Sequence, residues 1–299
     1  MTIFFILAAL SSTLANDNSS PTATCNCGEG GKLTGNDYIT GGQVVTDQNA
    51  YPWQVHQLID MNQAKKRLEK IVKSLKTELE AAKIYENVMN FLGTDLPLRE
   101  HCGASIISAK YVVTAAHCLH LQVKDRIPDN VRQMVAPLPG IPELFKMAIE
   151  EKGLLLYYLP EEMIMKAGVK NWRTETGFQT PVEGIKIHEH YNPIMDDEFG
   201  FDVEALEYDI AILTVKESFP FSNKIAPICL PSSTTLYTGQ IATVTGWGGA
   251  DPNDNSIKSD VLKEAKVKVW KNDNCMKAFK RHCTNCPEDK PLTRYIRGI

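Results

Sequence analysis

The stretch Lys110-Tyr-Val-Val-Thr-Ala-Ala-His-Cys118 decides the fold of this chain. Its β-branched residues predict a short strand from Tyr111 to Thr114, which runs into a tight Ala-Ala turn and leaves His117 at the strand end. A disulfide between Cys118 and Cys102 would close a loop of about 15 residues and stabilise the fold by roughly 3 kcal/mol. A histidine held beside such a crosslink is well placed to act as a general base.

Two motifs give the chain a family resemblance. Thr114-Ala-Ala-His-Cys118, preceded by Cys102-Gly-Ala-Ser105, resembles the histidine motif of the chymotrypsin/trypsin-like serine proteases. Tyr208-Asp-Ile-Ala-Ile-Leu-Thr-Val215 resembles the family's aspartate motif. The resemblance implies an all-β fold of two antiparallel barrels and hydrolysis of peptide bonds by a Ser/His/Asp triad. His117 would be the general base and acid, and a buried Asp209 would orient its ring.

The family's nucleophile motif is not found in the sequence. In the family the serine lies about 90 residues after the aspartate, within Gly-Asp-Ser-Gly-Gly. Counted from Asp209, that position falls just past Ile299. The serines that follow Asp209 have no glycines around them to form an oxyanion hole: Ser218, Ser222, Ser232, Ser233, Ser256 and Ser259. About two strands of the second barrel can be identified, so we expect that barrel to be incomplete.

The missing serine motif leaves two hypotheses for the function of the chain. Loss of a triad serine costs on the order of 10⁶ in turnover, so the chain as written is expected to be inactive. The first hypothesis is a fragment or truncated version of a secreted serine endopeptidase. The alternative is a non-catalytic protease homologue that acts as a secreted binding protein. Its ligands, like the substrates of the first, would be proteins or peptides.

The N-terminal region has the features of a secreted precursor. Residues 1–15 are predicted to be a signal peptide, with an apolar core and small residues before the cleavage point. Residues 16–38 are polar and are predicted to be a pro-segment, with a glycosylation sequon at Asn18. Eight cysteines in the chain agree with an extracellular, oxidising location.

The resemblance also implies an activation site and a crosslink. Ile39 would become the N-terminus of the protease domain, residues 39–299, after cleavage of the pro-segment. Because Tyr38 precedes it in place of Arg or Lys, either the activator is chymotrypsin-like or activation does not occur. Cys229 would pair with Cys25 or Cys27. The pairing of the later cysteines stays open: Cys275, Cys283 and Cys286.

Two insertions are predicted in the protease domain, at about 61–98 and 122–165. Residues 61–92 carry apolar residues at helical spacing and predict a long amphipathic helix. This helix either packs on the barrel exterior, binds a partner or a second copy, or is an artefact of the gene model. In the second insertion, Glu143 to Lys152 predicts a short helix, and Leu154 to Leu159 predicts a strand or an exposed patch. This insertion either restricts substrates beside His117 or is a retained non-coding segment.

Composition excludes several function classes. A net charge of −4 and a pI near 6.0 give no basic footprint for nucleic acid, and no apolar run is long enough to span a membrane. We expect no cofactor and no metal. His188 and His190 could form a metal pair, but no third ligand is evident, so they are interpreted as surface residues of a strand.

Overall fold

The structure is a computed structural model that describes residues 27, 42–64, 66–67, 98–123, 148–150, 153–191, 208–231, 237–248, 258–271 and 274. Strands dominate these residues. In chain order they are β1 (Gln43–Val44), β2 (Gln54–Asp60), β3 (Leu98–Ile106), β4 (Tyr111–Thr114), β5 (His120–Val123), β6 (Ala148–Glu150), β7 (Gly153–Tyr157), β8 (Met163–Ala167), β9 (Phe178–Ile187), β10 (Ala211–Val215), β11 (Ile241–Gly246) and β12 (Lys263–Lys268). The predicted all-β fold class is confirmed.

Six strands close into an antiparallel barrel in the order β10-β4-β3-β2-β8-β9. In β10 the side chains of Ala211, Leu213 and Val215 are buried while Ile212 is exposed, which is the two-residue period of a strand with one face on a core. The barrel strands contribute fully or almost fully buried apolar side chains to the hydrophobic core, among them Val55, Leu58, Ile59, Ile106, Val112, Met163, Met165 and Leu213. Each such side chain contributes roughly 1.5–3 kcal/mol when fully buried, so the barrel is a stable support for loops at its ends.

A second sheet of three strands, in the order β1-β12-β11, packs against the barrel. Side-chain hydrogen bonds join the two sheets: the Trp247 indole Nε1 donates to the Lys170 carbonyl at 2.7 Å, the Thr245 hydroxyl donates to Gln54 Oε1 at 2.7 Å, and the Tyr51 hydroxyl is hydrogen-bonded to the Glu264 carboxylate. Between the two sheets the ring of His56 lies against Trp247, with ring centroids 4.7 Å apart. Among the described residues these three strands form an open sheet.

A third sheet, in the order β5-β7-β6, contains most of the described residues of the second predicted insertion. The short helix predicted from Glu143 to Lys152 is wrong at residues 148–150, which form β6. Pairing with β7 decides their conformation, since the Ala148↔Leu155 register supplies hydrogen bonds that a helix would have to replace. The predicted strand from Leu154 is present as part of β7, and the barrel resumes at Met163, within the last residues of that insertion.

Residues 61–64, 66 and 67 are helical, which does not by itself confirm the long helix predicted over 61–92. Asp60 caps this helix, because its Oδ1 accepts the backbone N–H groups of Asn62 and Gln63 at 3.0 and 3.2 Å. The remainder of the predicted helix lies outside the described residues. No helix among the described residues is long and apolar enough to cross a membrane.

Near the start of this helix a buried ion pair connects it to the third sheet. The Arg67 Nε donates to Glu162 Oε1 at 2.6 Å and its Nη2 donates to Glu162 Oε2 at 2.9 Å. The same guanidinium donates to the carbonyl of Tyr157, the last residue of β7, at 3.0 Å. The helical segment and the turn that follows β7 are therefore held together by a forked, charge-assisted contact.

Candidate active site

His117 lies in a short 3-10 helix, Ala116–Leu119, that follows β4 directly. The register of the barrel strands explains which residue lies beside His117. Ala211, the first residue of β10, is paired with Thr114, the last residue of β4. The residue two positions before Ala211 is Asp209, and it therefore lies beside the turn that carries His117. The structure brings together the two residues that the sequence motifs singled out.

Two hydrogen bonds join Asp209 to His117. The backbone N–H of His117 donates to Asp209 Oδ1 at 2.7 Å, and the ring Nδ1 lies 2.7 Å from Oδ2. The aspartate side chain is completely buried, and that of the histidine is 19% exposed. One carboxylate thus fixes both the backbone and the ring of His117. It stabilises the tautomer with the proton on Nδ1 and would stabilise the imidazolium.

The turn that carries His117 is supported by residues that the sequence analysis did not single out. The Gln57 side chain of β2 is completely buried, and its Nε2 donates to the carbonyl of Cys118 at 3.0 Å. The Thr114 hydroxyl donates to the carbonyl of Gly103 at 3.0 Å. The sequence of β2, QVHQLID, does not show that Gln57 is buried, so this support could not be found from the sequence.

The described cysteines form two disulfides. Cys102 is joined to Cys118, next to His117. Cys27 is joined to Cys229, and this pairing makes the choice between Cys25 and Cys27 that the sequence had left open. Cys25, Ile39 and Asn18 lie outside the described residues, as do Cys275, Cys283 and Cys286.

Two further histidines are buried, His56 in the barrel strand β2 and His120 in β5 of the third sheet. Burial lowers the pKa of His120 to about 4; nearby His117 lowers it further, while Asp209 acts in the opposite direction. Burial likewise lowers the pKa of His56 to about 3, with smaller contributions from Lys258 and Lys166. Both rings are therefore neutral at neutral pH. Neither was recognised from the sequence, because an isolated histidine in a strand gives no signal of its burial.

His188 and His190, interpreted from the sequence as surface residues of a strand, lie just after β9, with His190 in a turn. The Nδ1 of His188 accepts the backbone N–H of His190 at 3.1 Å, so this nitrogen is already engaged. Within the described part of the chain, the group of three potential ligands that lies close together is Cys102, His117 and Cys118. Its two sulfurs are bonded to each other, and a disulfide does not supply the thiolate ligands that a metal requires.

Comparison with known proteins agrees with this arrangement. The Trypsin family model matches residues 83–136 and 160–288. Serine protease grass of Drosophila melanogaster is 30% identical over 184 residues, which cover 60% of this chain and 40% of that protein. Limulus clotting factor C of Carcinoscorpius rotundicauda is 28% identical over 196 residues, covering 64% of this chain and 15% of that protein. Transmembrane protease serine 7 of Homo sapiens is 29% identical over 182 residues, covering 60% and 16%.

The match covers only part of the relatives, and the likeness to the solved structure is weak. The chain spans less than half the length of each of these relatives. A solved structure, that of the scabies mite inactivated protease paralogue S-D1, is 19% identical with a TM-score of 0.47, covering 81% of this chain and 67% of that one. A likeness of that size supports no conclusion about activity. The family model, in contrast, matches more than half of the chain, across both the His117 and the Asp209 motifs. The chain belongs to the trypsin family of serine proteases.

Proposed function

We propose that this chain carries the histidine and aspartate of a trypsin-like serine endopeptidase. The observation that carries the proposal is the pair of 2.7 Å hydrogen bonds from one buried carboxylate to the backbone and ring of His117. Because Asp209 engages Nδ1, the other ring nitrogen, Nε2, would take the proton from an attacking hydroxyl and return it to the leaving amine. His117 is thus the general base and acid, and Asp209 orients it.

The 299 residues by themselves do not hydrolyse peptide bonds in this proposal. Within the sequence no serine after Asp209 lies in a Gly-Asp-Ser-Gly-Gly motif. That motif would supply the nucleophile and the backbone N–H groups that stabilise the tetrahedral intermediate. Without both, turnover falls by at least the factor of about 10⁶ that accompanies loss of the serine alone.

An extracellular location and a processed N-terminus belong to the same proposal. Two disulfides among the described residues are typical of secreted proteins. The signal peptide at residues 1–15, the pro-segment at 16–38, glycosylation at Asn18 and activation at Ile39 follow from the sequence pattern alone. The substrates would be proteins or peptides. The gap in the family match, residues 137–159, falls inside the second insertion, which supports its assignment as an addition to the common fold.

The test compares this chain with the protein from its native cells. The 299-residue chain should give no ester or peptide turnover above that of its His117→Ala variant. The intact mass and C-terminal peptide of the native protein then show whether a serine motif accompanies the site in a longer form. A fluorophosphonate should label that serine. Turnover by the 299-residue chain that is stopped by the fluorophosphonate would overturn the proposed inactivity.

A second candidate function is that of a non-catalytic homologue that binds protein partners, with the helix predicted at 61–92 as a contact surface. Such a protein should unfold cooperatively and bind a ligand without cutting it. A broad, non-cooperative thermal transition of the purified chain would count against this function.

A further inference from the structure

His120 is buried beside the His117–Asp209 pair and has a polar contact of its own. It is the first residue of β5, immediately after the 3-10 helix that contains His117. Its side chain is largely buried, and its Nε2 lies 2.7 Å from the hydroxyl of Tyr191. Its ring also packs edge-on against Tyr157, with ring centroids 5.3 Å apart. The ring is thus held by two tyrosines from different parts of the chain.

Tyr191 is connected to the strand end that carries Asp209. Its backbone N–H donates to the carbonyl of His188 at 3.0 Å, in the turn after β9. The N–H of His188 in turn donates to the carbonyl of Ile210 at 3.1 Å, and Ile210 directly follows Asp209. The contact between His120 and Tyr191 therefore joins the segment that carries His117 to the turn after β9, which is hydrogen-bonded to the segment that carries Asp209.

The charge state of His120 suits such a bridge. Burial lowers the pKa of the His120 ring to about 4 and keeps the ring neutral; His117 lowers this pKa further, and Asp209 raises it. A second cationic ring at this place would repel the His117 imidazolium and compete with it for the carboxylate. A neutral imidazole makes a directional hydrogen bond to the tyrosine without that competition. Its Nδ1 has no hydrogen-bond partner in the described structure, so the bond to Tyr191 is the polar contact found for this ring.

We propose that His120 is a positioning residue of the site: through its hydrogen bond to Tyr191 it holds the His117 turn and the Asp209 segment at the spacing their own hydrogen bonds require. The inference rests on the proposed role of the His117–Asp209 pair. Tyr157, whose ring packs against that of His120, belongs to β7, a strand of the third sheet. That sheet therefore takes part in setting the geometry of the site.

The test observes the proton between His117 Nδ1 and Asp209 by NMR, which requires no serine nucleophile. In the wild-type chain this proton should give a downfield signal that exchanges slowly with water. Tyr191→Phe removes the hydroxyl alone, and His120→Phe removes the imidazole but keeps a ring. Each should accelerate exchange of the proton by on the order of fivefold, the factor expected for one net hydrogen bond. His120→Gln, which can present a polar atom near the position of Nε2, should stay within about twofold of wild type.

Two controls separate positioning from general destabilisation. His56→Phe replaces the second buried histidine, whose ring contacts Trp172 and Trp247, and it should leave the exchange rate of the His117 proton unchanged. The double variant His120→Phe/Tyr191→Phe should resemble each single variant, because both remove the same contact.

Several outcomes would overturn the inference. These are an unprotected His117 proton in the wild-type chain, unchanged exchange in the folded Tyr191→Phe variant, or an equal effect of His56→Phe. The readout does not depend on peptide hydrolysis. A failure of the proposed protease function would appear in the turnover assays and leave this measurement interpretable.

Discussion

The ion pair between Arg67 and Glu162 should be one of the costliest contacts to break in this protein. The Glu162 side chain is 1% exposed and that of Arg67 is 20% exposed. Besides the two bonds to the guanidinium, Glu162 Oε2 accepts the backbone N–H of Leu159 at 2.8 Å. A buried carboxylate that loses its cation keeps this one neutral donor, which compensates little of its lost hydration.

Arg67→Met keeps the apolar stem of the side chain and removes its charge. We expect it to lower the free energy of unfolding by about 3–5 kcal/mol, because it leaves the carboxylate of Glu162 buried and unpaired. The double variant Arg67→Met/Glu162→Met removes both charges. It should be more stable than Arg67→Met and lie within about 2 kcal/mol of wild type, since two apolar side chains can fill the same space.

The assay is urea unfolding at pH 7, followed by the fluorescence of the buried tryptophans, with the midpoint and the slope fitted together. Arg173→Met is the matched control. The Arg173–Asp260 pair has a similar distance, 3.0 Å, but its side chains are 50% and 43% exposed. We expect this control to cost less than about 1 kcal/mol. If Arg67→Met costs no more than Arg173→Met, or if the double variant is the least stable of the three, the reasoning about burial is refuted.

Three further predictions concern the site, a buried histidine and a glycine. In any form of the protein that contains the nucleophile, Asp209→Asn should lower kcat by about 10⁴, because an amide favours the wrong tautomer of the catalytic histidine; a change below tenfold in ester turnover would contradict this. The unfolded chain takes up a proton on His56 below about pH 6.5, whereas the native protein does so only near its pKa of about 3. The stability that this group contributes is therefore present above pH 6.5 and lost as the pH falls, and we expect a loss of about 2 kcal/mol between pH 7 and pH 5. His56→Phe should remove this part of the pH dependence of the urea midpoint, and an unaltered dependence would argue against a buried neutral ring. Gly177→Ala should lower the melting temperature well beyond Gly239→Ala. Both glycines have positive φ, but a Cβ at residue 177 would lie 2.4 Å from a methyl group of Val169, and one at residue 239 meets no atom within 4 Å. The second substitution should cost only the backbone strain of about 1–2 kcal/mol, so equal losses would refute the steric argument.

The parts of the fold that local sequence could predict are those in which a short motif fixes the geometry. The strand predicted from Tyr111 to Thr114 coincides with β4, because β-branched residues bounded by turns have one favourable conformation. Residues 148–150 were predicted incorrectly, since their conformation is decided by pairing with a strand and not by their own propensity. The order of strands around the barrel also could not come from periodicity, which shows the buried face of a strand but not its neighbours.

The candidate site could likewise be predicted from the sequence only in part. The motifs around His117 and Asp209 identified both residues, and the structure shows the 2.7 Å hydrogen bonds between them. Gln57, His120 and Tyr191 were not found, because each acts through a partner distant in the sequence. A glutamine or histidine in a strand looks the same in the sequence whether it faces water or a buried carbonyl. Only the packing of β2 against the His117 turn distinguishes the two cases.

The disulfide between Cys27 and Cys229 determines what a protease could release from this protein. The two cysteines are 202 residues apart in the chain. A cut anywhere between residue 28 and the first strand at Gln43 would divide the polypeptide without separating its pieces. The product would be a two-chain molecule that migrates as one species on a non-reducing gel and as two after treatment with a thiol. The segment that contains Cys27 would then stay attached to the barrel as a disulfide-linked light chain.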